Sequence, residues 1–378
     1  MYVRQDCRHF KGDRPCSHNA ACLACQNYQP QGKKILIIKL AASGDVLRTT
    51  PILTGLKRRY RNSFIVWITK REAADLLKNN NYIDRLLVYE PPEIERLRIE
   101  RFDILICLDK EIEATVLANQ VKARSKFGFG FNHKTGNVYP FNRESRYAWE
   151  LGLSDELKFH KNKKTYPQLI FEMAKLNYKN DEYILDVSHA DREYAQGILD
   201  KIGLSRNSPI IGLNTGAGGR FANKAWTEDG FVALISRIRE NTDMNILLLG
   251  GQRERQRNIN IISRVGGLAY NAGCSHSIGQ FAAIIDTCSL VVSADTTALH
   301  IAIALKKLVV SLFGPTCEQE IELYNRGVKI TSKIDCRPCY KSRCDKQINC
   351  MSLIQAEEVF QAIEQLMPKS QAQPLSRR

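Results

Sequence analysis

The sequence predicts an α/β protein built from two doubly wound domains, each a parallel sheet with helices on both faces. Three observations predict it. Runs of Ile, Leu and Val at residues 35–40, 210–214, 245–249, 290–293 and 308–313 are apolar without alternation, as strands covered on both sides are. Each run is followed by a turn rich in Gly, Asp, Ser or Thr and then by a stretch of helical periodicity. The alternation begins at residue 34 and restarts near residue 210, which implies two sheets facing one another across a cleft.

The elements follow in order. Residues 1–30 form a cysteine-rich segment, and residues 31–190 the first domain. Within it the pattern places strand 35–40, turn 41–44 and a helix over 46–60 that Pro51 must kink or restart. Next come strand 64–68, helix 72–79, strand 86–89, helix 94–101, strand 104–108, helix 112–121 and a short strand at 126–129. The more polar region 150–183 reads as helical, and 186–208 as the connection between domains. The second domain, 205–355, alternates strand 210–214, helix 228–239, strand 245–249, helix 253–265, helix 278–285, strand 290–293, helix 297–305 and strand 308–313. Residues 356–378 read as a C-terminal helix and a basic tail ending in Arg377 and Arg378.

Composition bounds the function. A chain of 378 residues holds two to three domains of about 150 residues each. With 44% hydrophobic and 25% charged residues it is neither collagen-like, coiled-coil nor largely disordered. No apolar run reaches the roughly 18 residues of a membrane-spanning helix. The first 25 residues are charged rather than apolar, so the expectation is a cytoplasmic protein. Lys and Arg exceed Asp and Glu by 55 to 40, a net +15, which suits nucleic acid, anionic lipid or a phosphorylated substrate without choosing among them. The basic residues are scattered, densest at 57–61 and 158–164, and most read as solvated surface.

Nine of the twelve cysteines lie near the two ends. Cys22-Leu-Ala-Cys25 and Cys336-Arg-Pro-Cys339 have the two-residue gap that lets two thiolates reach one tetrahedral ion. Cys7 and Cys16 complete the first set and Cys344 and Cys350 the second, with His9 and His18 as spare ligands. Four thiolates suit structural zinc or an iron–sulfur cluster, and free thiols or disulfides are the plain alternative. Cys107, Cys274 and Cys288 sit in apolar surroundings and read as buried small hydrophobes.

In doubly wound sheets ligands bind outside the carboxyl ends of the strands, so the strand-to-helix turns carry the candidates. After the first strand, Gly44 permits a tight turn and Asp45 stands where a helix N-cap belongs; it serves as a cap or as a general base. In Asn214-Thr215-Gly216-Ala217-Gly218, glycines let backbone amides approach an anion, and Lys224 adds a charge; a flexible connection explains the glycines equally. Neither a Walker loop nor a dinucleotide fingerprint is present. Glu254 follows Gly250-Gly251 in a first helical turn, where it complements the dipole or accepts from a ribose diol. Asp295, Thr296 and Thr297 open a helix and His300 lies one turn in, together an anion site or a satisfied packing arrangement.

Taken together, segments 34–51 (KILIIKLAASGDVLRTTP), 211–226 (IGLNTGAGGRFANKAW), 247–254 (LLLGGQRE) and 291–316 (VVSADTTALHIAIALKKLVVSLFGPT) resemble glycosyltransferase family nine, the heptosyltransferases of lipopolysaccharide synthesis. The resemblance spans roughly residues 34–355 and implies a GT-B fold of two Rossmann-like domains, the second holding a nucleotide sugar and the first the acceptor. It puts Asp45 on the family's proposed base, Lys224 on the donor phosphate, Glu254 on the ribose, and Asp295, Thr296 and His300 on the donor diphosphate. Thr297 departs from the glycine of many members, which opens the donor's identity. The implied reaction is inverting transfer from ADP-heptose to an anionic, lipid A-linked acceptor, without a catalytic metal. Contact with the inner membrane is expected through Lys57, Arg58, Arg59 and Arg61, and no nucleic acid is expected. The alternatives are transfer from another nucleotide sugar, or a non-catalytic, metal-clustered protein that binds nucleic acid.

Overall fold

The structure, a computed structural model, describes residues 2–205, 208–218 and 221–368; the basic tail at 377–378 lies outside them. The chain forms two compact units, and each is interrupted in sequence. The first comprises Met1–Ala41, Pro51–Ser154 and Pro167–Asp181; the second comprises Ala42–Thr50, Asp155–Tyr166 and Glu182–Arg378.

The sheet of the first unit has six strands: β1 (Lys33–Ile38), β2 (Ser63–Thr69), β3 (Arg85–Val88), β4 (Arg101–Cys107), β5 (Lys122–Asn132) and β6 (Asn137–Pro140). Their order is β3-β2-β1-β4-β5-β6, parallel except for the β5–β6 hairpin. Every residue of β2 is buried, as are Ile35–Ile38 of β1, which is why these strands read as unbroken apolar runs. The order reverses beside β1 and β4, and there Lys39 and Asp109 form a buried ion pair; Asp109 also accepts from the Leu40 backbone N–H.

The second sheet contains β7 (Ile210–Asn214), β8 (Asn245–Leu249), β9 (Tyr270–Asn271), β10 (Leu290–Ala294), β11 (Leu308–Phe313) and β12 (Gly327–Thr331), in the order β12-β11-β10-β7-β8-β9 and all parallel. Its core joins Ile211, Leu213, Val292 and Val310 to Trp226, Phe231, Ile238 and Phe360 from the covering elements. The order reverses between β7 and β10, so the carboxyl ends of these two neighbours form the topological switch point.

Most expected elements are present, with instructive differences. The chain is helical over Ser43–Leu47 and again over Ile52–Arg59, with Pro51 at the second N-cap, so proline restarts the helix rather than kinking it. The region expected to be helical over 150–183 keeps only a π turn, Leu157–Lys161, and the helix Tyr166–Met173. The stretch expected as a connection contains a thirteen-residue helix, His189–Lys201, whose first turn is capped by the Ser188 side chain accepting from the Asp191 N–H. The expected helix over 72–79 shortens to Arg71–Ala74, and β5 runs to eleven residues because β6 pairs with its far end.

Candidate active site

The carboxyl ends of β7, β8, β10 and β11 open onto one pocket of about 670 Å³, lined entirely by residues of the second unit. Asp45, Gly216, Gly218, Lys224, Glu254, Asp295, Thr296, Thr297 and His300 all line it. The four separate sequence turns thus converge on one place.

At the switch point Asn214 Nδ2 donates to the Gly216 carbonyl at 3.0 Å, to Ser293 Oγ at 3.2 Å and to Thr296 Oγ1 at 3.3 Å. This fixes the end of β7 against the start of the helix Thr297–Ala304, whose N-cap is Thr296. Lys224 reaches the same point from a 3₁₀ turn, Ala222–Lys224, donating to Asp295 Oδ2 at 2.9 Å and to the Asp295 carbonyl at 3.1 Å. Burial alone would raise the Asp295 carboxyl, but Lys224, His300 and Arg48 outweigh it and hold it below the ordinary carboxylate range.

His300 lies beneath this pair, 96% buried, with Nε2 3.7 Å from Asp295 Oδ1 and its ring stacked on Tyr183. Burial pushes its imidazole down to about 4, with Asp295 opposing, so the ring is neutral at physiological pH. A Cβ on Gly44 would lie 2.5 Å from the His300 ring. Gly44 is therefore small to admit that ring; it is helical and takes no left-handed conformation.

The N-cap expected at Asp45 is Ala42, and Asp45 falls in the first turn of Ser43–Leu47. Its carboxylate pairs with Arg48 at 2.9 Å. Arg48 is half-buried at the pocket wall, 3.9 Å over the Tyr166 ring and 3.7 Å from Glu320. Burial disfavours its charge, but Asp45, Tyr166 and Glu320 more than offset this and raise it above the ordinary arginine range.

Glu254 is set by close glycine contacts. Its Oε2 accepts from the Gly251 N–H at 3.0 Å, and a Cβ on Gly216 would overlap its carboxylate at 2.0–2.2 Å. Arg48, Lys158, Cys274, His276, Glu320 and Tyr340 also line the pocket, though the sequence assigns none of them to a site and reads Cys274 as a buried small hydrophobe. Arg48 stands inside the first quoted motif; the others lie in segments whose convergence no local pattern reports.

The terminal cysteines are all free. Cys7, Cys16, Cys22 and Cys25, with His9 and His18, line one cavity of the N-terminal segment. Cys336, Cys339, Cys344 and Cys350 lie close enough that the other three, after burial, push the Cys350 thiol up. Among the described residues no three His, Cys, Asp or Glu side chains are already gathered as a metal-binding group. Of the basic residues expected at a membrane, Lys57 donates to the Ser63 carbonyl, Arg58 pairs with Asp181 and Arg59 donates to the Lys175 carbonyl, all within the first unit. No helix among the described residues is long and apolar enough to cross a membrane.

Two α/β units on largely parallel sheets, with an anion-suited pocket at the switch point of the second, have the GT-B fold, and the family match makes the chain a glycosyltransferase. The chain belongs to glycosyltransferase family 9 (heptosyltransferase), whose model matches residues 94–348. It is similar to lipopolysaccharide heptosyltransferase 1 of Campylobacter coli, 22% identical over 366 residues that cover 88% of this chain and 98% of the relative. Among solved structures it resembles a family 9 glycosyltransferase from Veillonella parvula (TM-score 0.71, 19% identity, 88% of this chain and 97% of that one). It also resembles the ADP-heptose LPS heptosyltransferase II of E. coli (TM-score 0.63, 19% identity, 90% and 100%).

Proposed function

We propose that this glycosyltransferase moves a heptose from ADP-heptose onto a lipopolysaccharide core acceptor, with inversion at the anomeric carbon. The observation that carries the reading is the convergence of Asp45, the Lys224–Asp295 pair, the Thr296-capped helix and Glu254 on one pocket. The names of the relatives supply the sugar and the acceptor class.

In this reading the donor diphosphate lies at the N-terminus of Thr297–Ala304, where backbone N–H groups and the helix dipole favour anions, with Lys224 beside it. Glu254 accepts from the ribose hydroxyls. The acceptor hydroxyl oxygen attacks the anomeric carbon, its proton passes to the Asp45 carboxylate, and the bond from carbon to phosphate oxygen breaks. ADP leaves with the electron pair, and its charge is met by Lys224 and the helix N-terminus rather than by a divalent cation. Arg48, paired with Asp45 and seated on Tyr166, fixes the base's position. A lipid-linked acceptor would bring the enzyme to the cytoplasmic face of a membrane.

Thr297 favours a second reading, in which another nucleotide sugar is the donor. It is the first residue of the helix and lines the pocket, so its side chain narrows the space offered to the diphosphate or the sugar.

Calorimetric titration with ADP, UDP and GDP separates the two readings. Preference for ADP supports ADP-heptose; preference for UDP or GDP keeps the mechanism and refutes the donor. Asp45→Asn is expected to lower kcat about 10²–10⁴-fold, the usual contribution of a positioned base, with ADP affinity unchanged. Unaltered turnover would remove Asp45 from the chemistry.

A further inference from the structure

Residues 2–32 are held without a core. None of them belongs to the buried hydrophobic set, which begins at Ile35. Their only helical element is the 3₁₀ turn Cys22–Ala24, and their only β pairing is the isolated bridge between Cys7 and Pro30. The base of the segment is fastened by Arg8, which pairs with Asp84 and donates to the Ser63 carbonyl at 2.8 Å, and is closed on itself where Gln31 N–H donates to the Asp6 carbonyl at 2.9 Å. Beyond that base the chain turns back on itself through 9–27 with Leu23 exposed. A piece this short buries too little apolar surface to order itself, and such pieces are normally closed by disulfides or a metal.

The side chains that face inward are the ones that would do it. Cys7, Cys16, Cys22 and Cys25 border a single cavity of about 770 Å³. The turn after Cys16 returns the Asn19 N–H to the Cys16 carbonyl at 3.0 Å, with Asn19 in the left-handed region at φ 44°.

We propose that Cys7, Cys16, Cys22 and Cys25 bind one zinc ion as four thiolates, and that this ion replaces a hydrophobic core in fixing residues 7–25. Zinc accepts four sulfur ligands at about 2.3 Å in a closed tetrahedral site, and its binding energy then appears as folding energy. The cavity is wider than an ion and the thiols are not gathered to one point. Binding therefore draws the 16–25 turns inward towards Cys7. That movement is confined to surface turns and disturbs no strand and no core side chain. The proposal stands apart from the proposed sugar transfer.

The test uses the full chain, purified under reducing conditions, and measures metal per protein by mass spectrometry. The Cys22→Ser/Cys25→Ser variant is expected to carry one zinc equivalent fewer than wild type, whereas Cys336→Ser/Cys339→Ser keeps that equivalent. Cobalt exchanged into wild type is expected to show the absorption of tetrahedral thiolate coordination, and this component is absent from the first variant. A second measurement needs no variant. Chelation of wild type is expected to speed tryptic cleavage at the exposed Lys11 and Arg14, and zinc restores protection. Equal zinc in wild type and the Cys22/Cys25 variant would overturn the proposal. So would two disulfides among the four cysteines, or iron with acid-labile sulfide lost from that variant. Cleavage at Lys11 and Arg14 that is indifferent to zinc would overturn the structural role.

Discussion

His300 offers a measurement that tests the geometry of the pocket directly. The ring is buried against Tyr183 and faces Asp295, Asp45, Arg48 and Lys224. Desolvation dominates, and its imidazole titrates at about 4 rather than 6.5. Between those values the unfolded chain binds a proton that the folded chain refuses. Stability conferred by this residue is therefore complete above about pH 6.5 and is lost as pH falls towards 4. The gap corresponds to about 3 kcal/mol at 1.36 kcal/mol per pH unit. His300→Gln removes the titration while keeping a polar side chain of similar reach. Urea unfolding of both proteins, followed from pH 7.5 to 4, is expected to show wild type losing about 3 kcal/mol more than the variant, most of it below pH 6. Parallel pH dependences would refute the reasoning, because they would mean that Asp295 compensates the charged ring in full. The same burial predicts that His300 contributes no limb to the pH–rate profile between pH 6 and 8.

The other predictions concern its neighbours. Lys224→Met leaves the Asp295 carboxylate largely buried without its 2.9 Å partner, and is expected to destabilise the protein by about 3 kcal/mol in denaturation measurements. Adding Asp295→Asn is expected to recover most of that loss. Gly216→Ala puts a methyl where the Glu254 carboxylate now lies, so the flexible glutamate swings away. Nucleotide affinity is expected to fall about 10- to 100-fold by calorimetry, the worth of hydrogen bonds to a charged group, with thermal stability nearly unchanged.

The strands of both sheets were legible because burial on both faces demands uninterrupted Ile, Leu and Val; β7, β8 and β11 lie where the apolar runs place them. The helix His189–Lys201 was not legible, since it packs on another helix, Ile278–Asp286, with few fully buried residues, Ala195 and Leu199, and its sequence is mostly polar. Strands β9 and β12 are short edge pairings with no fully buried residue, so their sequences carry no core signal. Among site residues, those that open helices after strands were visible because turn chemistry is local. The partner of Asp45 was not. Nothing near Arg48 announces that its guanidinium meets Glu320 and rests on Tyr166.

Those long-range partners bear on how the site works. Ala42–Thr50, which carries Asp45 and Arg48, and Asp155–Tyr166, which carries Lys158 and Tyr166, both pack with the second unit. Gly44 sits against His300, Arg48 against Glu320, and the Thr50 hydroxyl accepts from the Ile184 N–H at 2.8 Å. The proposed base and the groups proposed to meet the leaving diphosphate are therefore held by contacts internal to one unit. Their mutual geometry needs no adjustment when the donor arrives, which is the condition under which fixed charges and dipoles stabilise a transition state most effectively.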